Sequence, residues 1–218
     1  MAPSTEHLLF VFMPQLLTGM AVNFKIAAIA LLLGLTLGVP LAVARLGGGA
    51  TGTVASALIG LLRAAPTFVV MFFLFNVIAK DAKIFGYAIA LSGVMTVALS
   101  LVPYAAAYVA DNGLEALQQL RKGAPLAALL FVPNIGRSFF VLVMSSSAGA
   151  AIGVGEGIAV ILREAERMPT TNDKFVLFAI GVACFGIALQ TGFFMINLLK
   201  HRIGKLLAHH GTQAKDAD

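Results

Sequence analysis

The chain has 218 residues, of which 59% are hydrophobic and only 11% charged, with mean hydropathy +0.93 and a formal net charge of +5. That balance excludes a soluble globular domain, whose surface needs far more polar area, and leaves one polytopic helical bundle solvated mainly by lipid. The cationic surplus comes without the basic tract of a nucleic-acid binder, so it reads as membrane-flanking charge.

In chain order, Met1 to Thr18 forms a short lead, with Leu8 to Phe12 at or in the interface ahead of Pro14. Neither a positively charged n-region nor a small-residue cleavage site marks it as a removable signal. The first span is expected over about Ile26 to Ala44, roughly the length that crosses a hydrocarbon core. Gly34 and Gly38 form a G-x-x-x-G step inside it, which permits close helix approach but is a weak signal in a chain with 22 glycines. Arg45 and the run Gly47 to Gly49 end that span.

A second span is expected over about Val54 to Ala79. Arg63 lies well inside it, either snorkelling to the near interface or serving a more specific role, and Pro66 should kink the helix. Lys80 to Lys83 makes the next turn. The third span runs over about Ile84 to Ala110 and carries Pro103, Tyr104 and Tyr108. From Asp111 to Gly123, leucines recur every third residue at Leu114, Leu117 and Leu120, which predicts a short amphipathic helix on the membrane surface.

The fourth span is Leu126 to Ile158, followed by a charged loop from Arg163 to Lys174 and a fifth span from about Phe175 to Leu199. The domain organisation is then a lead (1–18), a transmembrane domain (19–205) and a polar cytoplasmic tail (206–218). Lys200, Arg202 and Lys205 follow the last span directly and share a side with Arg45, Arg63, Arg121 and Lys122. That bias places the C-terminus in the cytoplasm and, with five spans, the N-terminus outside.

Catalytic constellations are missing from this pattern. His7, His201, His209 and His210 lie near the termini, and Ser145 to Ser147 have no histidine beside them in the bundle. Cys184 sits in an apolar run, and no G-x-x-x-x-G-K-[ST] phosphate loop occurs. The fourth span nevertheless carries Asn134, Ser146, Ser147 and Glu156. Polar groups at membrane depth are costly and normally face a bundle interior or a wet cavity. These four and Arg63 are the candidates for lining a solute path, and each is equally readable as one half of an interhelical hydrogen bond.

Several stretches resemble the permease subunits of bacterial ABC importers for polar amino acids. Leu16 to Arg45 is similar to the family's opening helix. Arg63-Ala64-Ala65-Pro66 stands where the family has Arg-Gly-Thr-Pro, followed in both by a Phe-rich run. Ala98 to Asp111 resembles the family's ALSL…AY-x-A-E, Lys122-Gly123 its Lys-Gly, and Ile152-Gly153-Val154-Gly155-Glu156 its I-G-V-x-E. The resemblance covers about Leu16 to Lys205. It implies an all-α integral membrane fold of about five spans, the type I ABC importer permease bundle, in the bacterial inner membrane. The implied partners are a second permease chain, two cytoplasmic ABC ATPases and an external solute-binding protein. ATP-Mg would sit on the ATPases, so this chain needs no cofactor and is no enzyme.

The sequence departs from that family at the loop that docks into the ATPase. Ala127-Ala128 takes the place of the family's Ala-Ala, but Leu126 replaces its Glu, and Pro133 follows too soon for the usual coupling helix. A competing alignment uses Glu115-Ala116-Leu117. Glu115, Arg121, Lys122, Gly123, Ala127 and Ala128 are therefore the candidates for ATPase contact. The family's Lys-Asp-Thr-Ser is Met144-Ser145-Ser146-Ser147 here, without either charge. These departures imply the divergent member of a permease heterodimer that translocates amino acids or similar small polar solutes. The alternative is a scaffold or regulatory subunit with no path of its own.

Overall fold

The computed structural model describes residues 5–78, 83–84, 87–88 and 91–215; within these, the side chains of residues 5, 83–84, 87–88, 126–127, 203 and 206–215 lie outside the description. It is a helical membrane fold, with one pair of two-residue strands as its only sheet among the described residues. Four helical stretches among the described residues are long and apolar enough to cross a bilayer, and a bent pair makes up to five.

The first helix starts earlier than its composition predicts. A short helix α1 (Thr5–His7) leads through a π-helical turn (Leu8–Phe12) into α2 (Met13–Gly47). The N–H of Met13 reaches back to the carbonyl of Leu8, five residues behind, just ahead of Pro14 in the first turn of α2. A proline at that position gives up an N–H with little loss to the helix. The extension is held by packing: Leu8, Phe12, Leu16 and Met20 recur every fourth residue and meet Val160, Ile161, Ala165 and Leu177. The expected lead therefore has no structural break at residue 18.

Gly48, with φ +68, turns the chain into α3 (Gly49–Ala64), which stops at Ala65-Pro66. α4 (Thr67–Val77) departs from it at 83°. The expected kink at Pro66 is thus a full break, because proline lacks the N–H that would continue the ladder and forces Ala65 into an extended conformation. The turn Lys80 to Ala82 lies outside the described residues. Two-residue strands Lys83–Ile84 and Tyr87–Ala88 pair antiparallel, in the register Lys83 to Ala88, where the third span was expected to begin.

That span, α5 (Gly93–Arg121), starts instead at Ser92, whose hydroxyl accepts the N–H of Met95. It also corrects the expected surface helix: Asp111 to Arg121 continues α5 without interruption. Gly113 is no helix stop. It is buried, and a Cβ there would come within 3.1 Å of Ala42 on α2. α5 is the central span, with 61% of its most apolar stretch buried, against 11% for the last helix.

The expected fourth span is divided. α6 (Pro125–Ala128) is followed by α7 (Phe131–Ser145), a 3-10 helix (Ser146–Ile152) and α8 (Gly157–Glu166). α8 occupies part of the expected charged loop. α9 (Thr171–Lys215) is longer at both ends than the apolar run Phe175 to Leu199, and it covers residues 206–215 of the expected tail.

The weak G-x-x-x-G signal is a working contact. A Cβ on Gly34 would lie 2.5 Å from the Cβ of Ala105, and one on Gly38 would lie 2.6 Å from the carbonyl oxygen of Ala106. Small residues on both helices let α2 and α5 touch backbone to backbone. Gly34→Leu should therefore force the two central helices apart and destabilise the fold by about 1–3 kcal/mol. Thermal unfolding of the detergent-solubilised chain should show a lowered midpoint, while Gly60→Leu, at an open position, should leave it unchanged.

Candidate functional site

The most buried polar cluster is assembled from α2, the 3-10 helix and the start of α8. Asn23, Ser146 and Glu156 are each fully buried. The Asn23 amide nitrogen donates to Ser146 Oγ (2.9 Å) and Glu156 Oε2 (2.9 Å), with a longer reach to Ser147 Oγ (3.4 Å). The Asn23 carbonyl oxygen accepts the N–H of Gly157 at 3.0 Å. Glu156 caps α8, taking the N–H groups of Ile158 (3.0 Å) and Ala159 (2.8 Å). Ser146 passes its own hydrogen to the carbonyl of Val143 at 2.7 Å.

The backbone explains why Ile152 to Glu156 has this sequence. Gly153 sits at φ +81 and ends the 3-10 helix, a conformation that other L-residues rarely adopt. Val154 is buried in the core beside Val97 and Leu142. Glu156 then supplies the N-cap. The segment stops one helix, turns and starts another inside the bundle. Gly19 and Gly157 permit the approach, since a Cβ on Gly19 would lie 3.0 Å from the Cα of Gly157.

Two path candidates, Ser146 and Glu156, are thus brought together with their hydrogen-bonding capacity directed at the protein. Ser147 is half-buried and borders a cavity of about 280 Å³ between α8 and α9. Asn23 was missed by composition because the apolar run begins after it, at Ile26. Its signal was an amide within helical reach of a predicted span.

A second polar layer lies at the other end of α2. Asp111 on α5 receives Arg45 from α2 at 3.0 Å and Arg63 from α3 in a close contact. Arg63 thereby anchors the end of α3 to α5 at an exposed position. Next to it, Asn112 Nδ2 donates to the carbonyl of Tyr108, and Asn112 Oδ1 accepts from Asn134 Nδ2 at 2.8 Å. The path candidates Asn134 and Arg63 therefore belong to this layer, separate from Ser146 and Glu156. Along α2, Asn23 and Arg45 are separated by about 33 Å at 1.5 Å per residue.

The ATPase-contact candidates gather beyond this second layer. Glu115, Arg121, Lys122 and Gly123 are exposed. Lys122 and Gly123 close α5: Gly123 has φ +73, and the N–H of Ala124 reaches the carbonyl of Gln119 at 2.9 Å. Ala128 differs from them in being buried and lining an apolar cavity of about 460 Å³ with Val39, Leu117 and Phe131. The side chain of Ala127 lies outside the described residues.

No protein-family model and no curated protein matches the chain. Among solved structures, the crystal structure of an amino acid ABC transporter with histidines contains a chain of similar fold, with a TM-score of 0.65 and 18% sequence identity. The similarity covers 87% of this chain and 94% of that one. The chain thus has the fold of a subunit of that transporter over nearly its whole length, which agrees with the bundle that its sequence motifs imply.

Asn23→Ala should be the most costly polar substitution in the bundle, about 1–3 kcal/mol, because it leaves the buried Gly157 N–H without its acceptor and removes a hydrogen bond from each of the buried Ser146 and Glu156. Arg63→Ala, at an exposed ion pair, should cost less than about 1 kcal/mol. Thermal unfolding of the two variants side by side in one detergent checks the order.

Proposed function

We propose that the chain is the transmembrane permease subunit of an ABC-type importer for amino acids or similar small polar solutes. The observation that carries this reading is the end-to-end fold similarity to a chain of an amino acid ABC transporter, over 87% of this chain. The retained Ile152 to Glu156 element supports it, since this unit stops and restarts the chain inside the bundle. On this reading the chain sits in a bacterial inner membrane with its N-terminus outside and its C-terminus in the cytoplasm. Arg45, Arg63, Arg121 and Lys122 then lie toward the cytoplasmic face.

Two cytoplasmic ATPases carrying ATP-Mg and an external solute-binding protein complete the assembly, and this chain performs no catalysis. Glu115, Arg121, Lys122 and Gly123 form the exposed end of α5 nearest an ATPase. The link from α5 to α7 holds only the four-residue α6. A helix that short offers little rigid surface to transmit a power stroke. This supports a heterodimer in which the other permease chain couples to ATP more fully. The same feature favours the second reading, a membrane scaffold or regulatory subunit.

Mass spectrometry of the complex pulled down from detergent through this chain separates these readings. The expected result is an ABC ATPase together with a second, different permease chain. Two copies of this chain with two ATPases and normal ATP-driven import would sink the heterodimer, and a complex without any ATPase would leave the scaffold. In the importer, Ser147→Ala should change the KM for uptake several-fold while leaving thermal stability intact, because Ser147 is only half-buried and its bond to Asn23 is long. Unchanged kinetics in reconstituted vesicles would remove Ser147 from the path.

A further inference from the structure

At the end of the bundle that carries the N-terminus, α8 and its C-cap turn a stripe of Val160, Arg163 and Arg167 toward α2. α2 opposes it with Gln15 and Thr18, and Gly155 closes one side. Together they bound a groove of about 460 Å³, within the roughly 300–1,000 Å³ common to small-molecule sites.

The charges in this groove are unevenly committed. Arg167 donates to Glu164 Oε2 at 3.1 Å, and Glu164 Oε1 also meets His7 Nε2 at 2.6 Å. Glu164 is buried and engaged on both oxygens. Arg163 has no hydrogen-bond or ion-pair partner among the described residues. A free guanidinium therefore stands one helical turn from a shared one, both opening on the same space. Such a fork matches the two oxygens of a carboxylate.

The facing wall has the complementary character. The Thr18 hydroxyl gives its hydrogen to the carbonyl of Pro14 at 2.8 Å, so its oxygen is left to accept. Gln15 adds an amide oxygen at an exposed position. Acceptors opposite guanidiniums suit a solute with a cationic group a few bonds from its carboxylate.

We propose that this groove binds a small carboxylate-bearing solute, with Arg163 as its principal counter-charge, Arg167 as a second donor, and Gln15 and Thr18 taking the solute's donors. The site rests on the importer reading only for its biological sense. Its floor residue Gly19 lies one helical turn from Asn23, and Gly155 adjoins Glu156, so an occupant would lie directly against the buried polar cluster. Neither Arg163 nor Arg167 takes part in that cluster's hydrogen bonds.

The test is saturation-transfer NMR on the full chain in nanodiscs of zwitterionic lipid, with glycine, acetate and glycinamide as probes. Glycine and acetate should receive saturation, and glycinamide, which lacks the carboxylate, should not. Arg163→Gln should weaken the apparent affinity for glycine at least about tenfold, Arg163→Lys should restore part of it, and Arg167→Gln should weaken it less. Circular dichroism and thermal unfolding should match the parent, since Arg163 is exposed. Three results would overturn the site: no saturation of glycine or acetate in the parent chain, equal binding by Arg163→Gln, or equal binding of glycinamide. Loss of glycine binding when phosphatidylglycerol enters the nanodisc would assign the groove to a lipid headgroup and overturn it as well. No ATPase is needed for these measurements. An Arg163-dependent signal from a chain that captures no ATPase would therefore defeat the importer reading and leave the site standing, and the opposite pattern would do the reverse.

Discussion

The bundle depends on satisfying a helix start that lies largely within the protein. α8 begins among buried side chains, and its first N–H groups have no partner within the helix. All four are nonetheless met. The Val154 carbonyl takes that of Glu156, Asn23 takes that of Gly157, and the Glu156 carboxylate takes those of Ile158 and Ala159. An unsatisfied amide in such surroundings costs several kcal/mol. The carboxylate that does this capping is itself buried and needs the Asn23 amide. One side chain on α2 thus holds a carboxylate, a hydroxyl and a backbone N–H that are far from it in sequence, and so ties down the break between α7 and α8.

α2 is the spine because it serves two such layers and packs tightly between them. Its Asn23 end binds the break between α7 and α8, and its Arg45 end joins Arg63 on Asp111. Gly34 and Gly38, between the two, bring it against Ala105 and Ala106 of α5. The apolar stretch separating the layers is close to the thickness of a hydrocarbon core, about 30 Å. Ions and amides at either end with small residues between them are what a helix pair needs in lipid, where packing replaces the hydrophobic drive.

Much of this was legible in composition. The order of the apolar runs, a disturbance at Pro66 and the turn at Gly47 to Gly49 follow from length, proline and glycine alone, although the disturbance is a full break where a kink was expected. Helix ends were not, because packing decided them. The i, i+4 series Leu8, Phe12, Leu16 and Met20 carries the first helix past Pro14, and Gly113 continues α5 because it faces Ala42. Of the site, Ser146 and Glu156 stood out as polar residues in an apolar run. Their partner Asn23 did not, since it precedes the apolar run that opens at Ile26. Asp111 read as the start of a surface helix, although its two arginines lie 66 and 48 residues away in sequence. Such long-range pairing leaves no local trace.

The last helix meets the bundle in its own manner. Most of α9 faces outward, with Phe175, Val182, Ile187 and Phe194 exposed. It is keyed in place by interlocking rings and glycines: Phe140 fills the notch at Gly192, Ile161 that at Gly181, Phe185 of α9 that at Gly157, and Ile196 that at Gly136. Notches cut in both directions resist sliding, because every peg would have to leave its slot at once. They resist tilting far less, since tilting lifts the pegs out one after another. The helix is therefore fixed in height along the bundle even though most of its surface faces away from it.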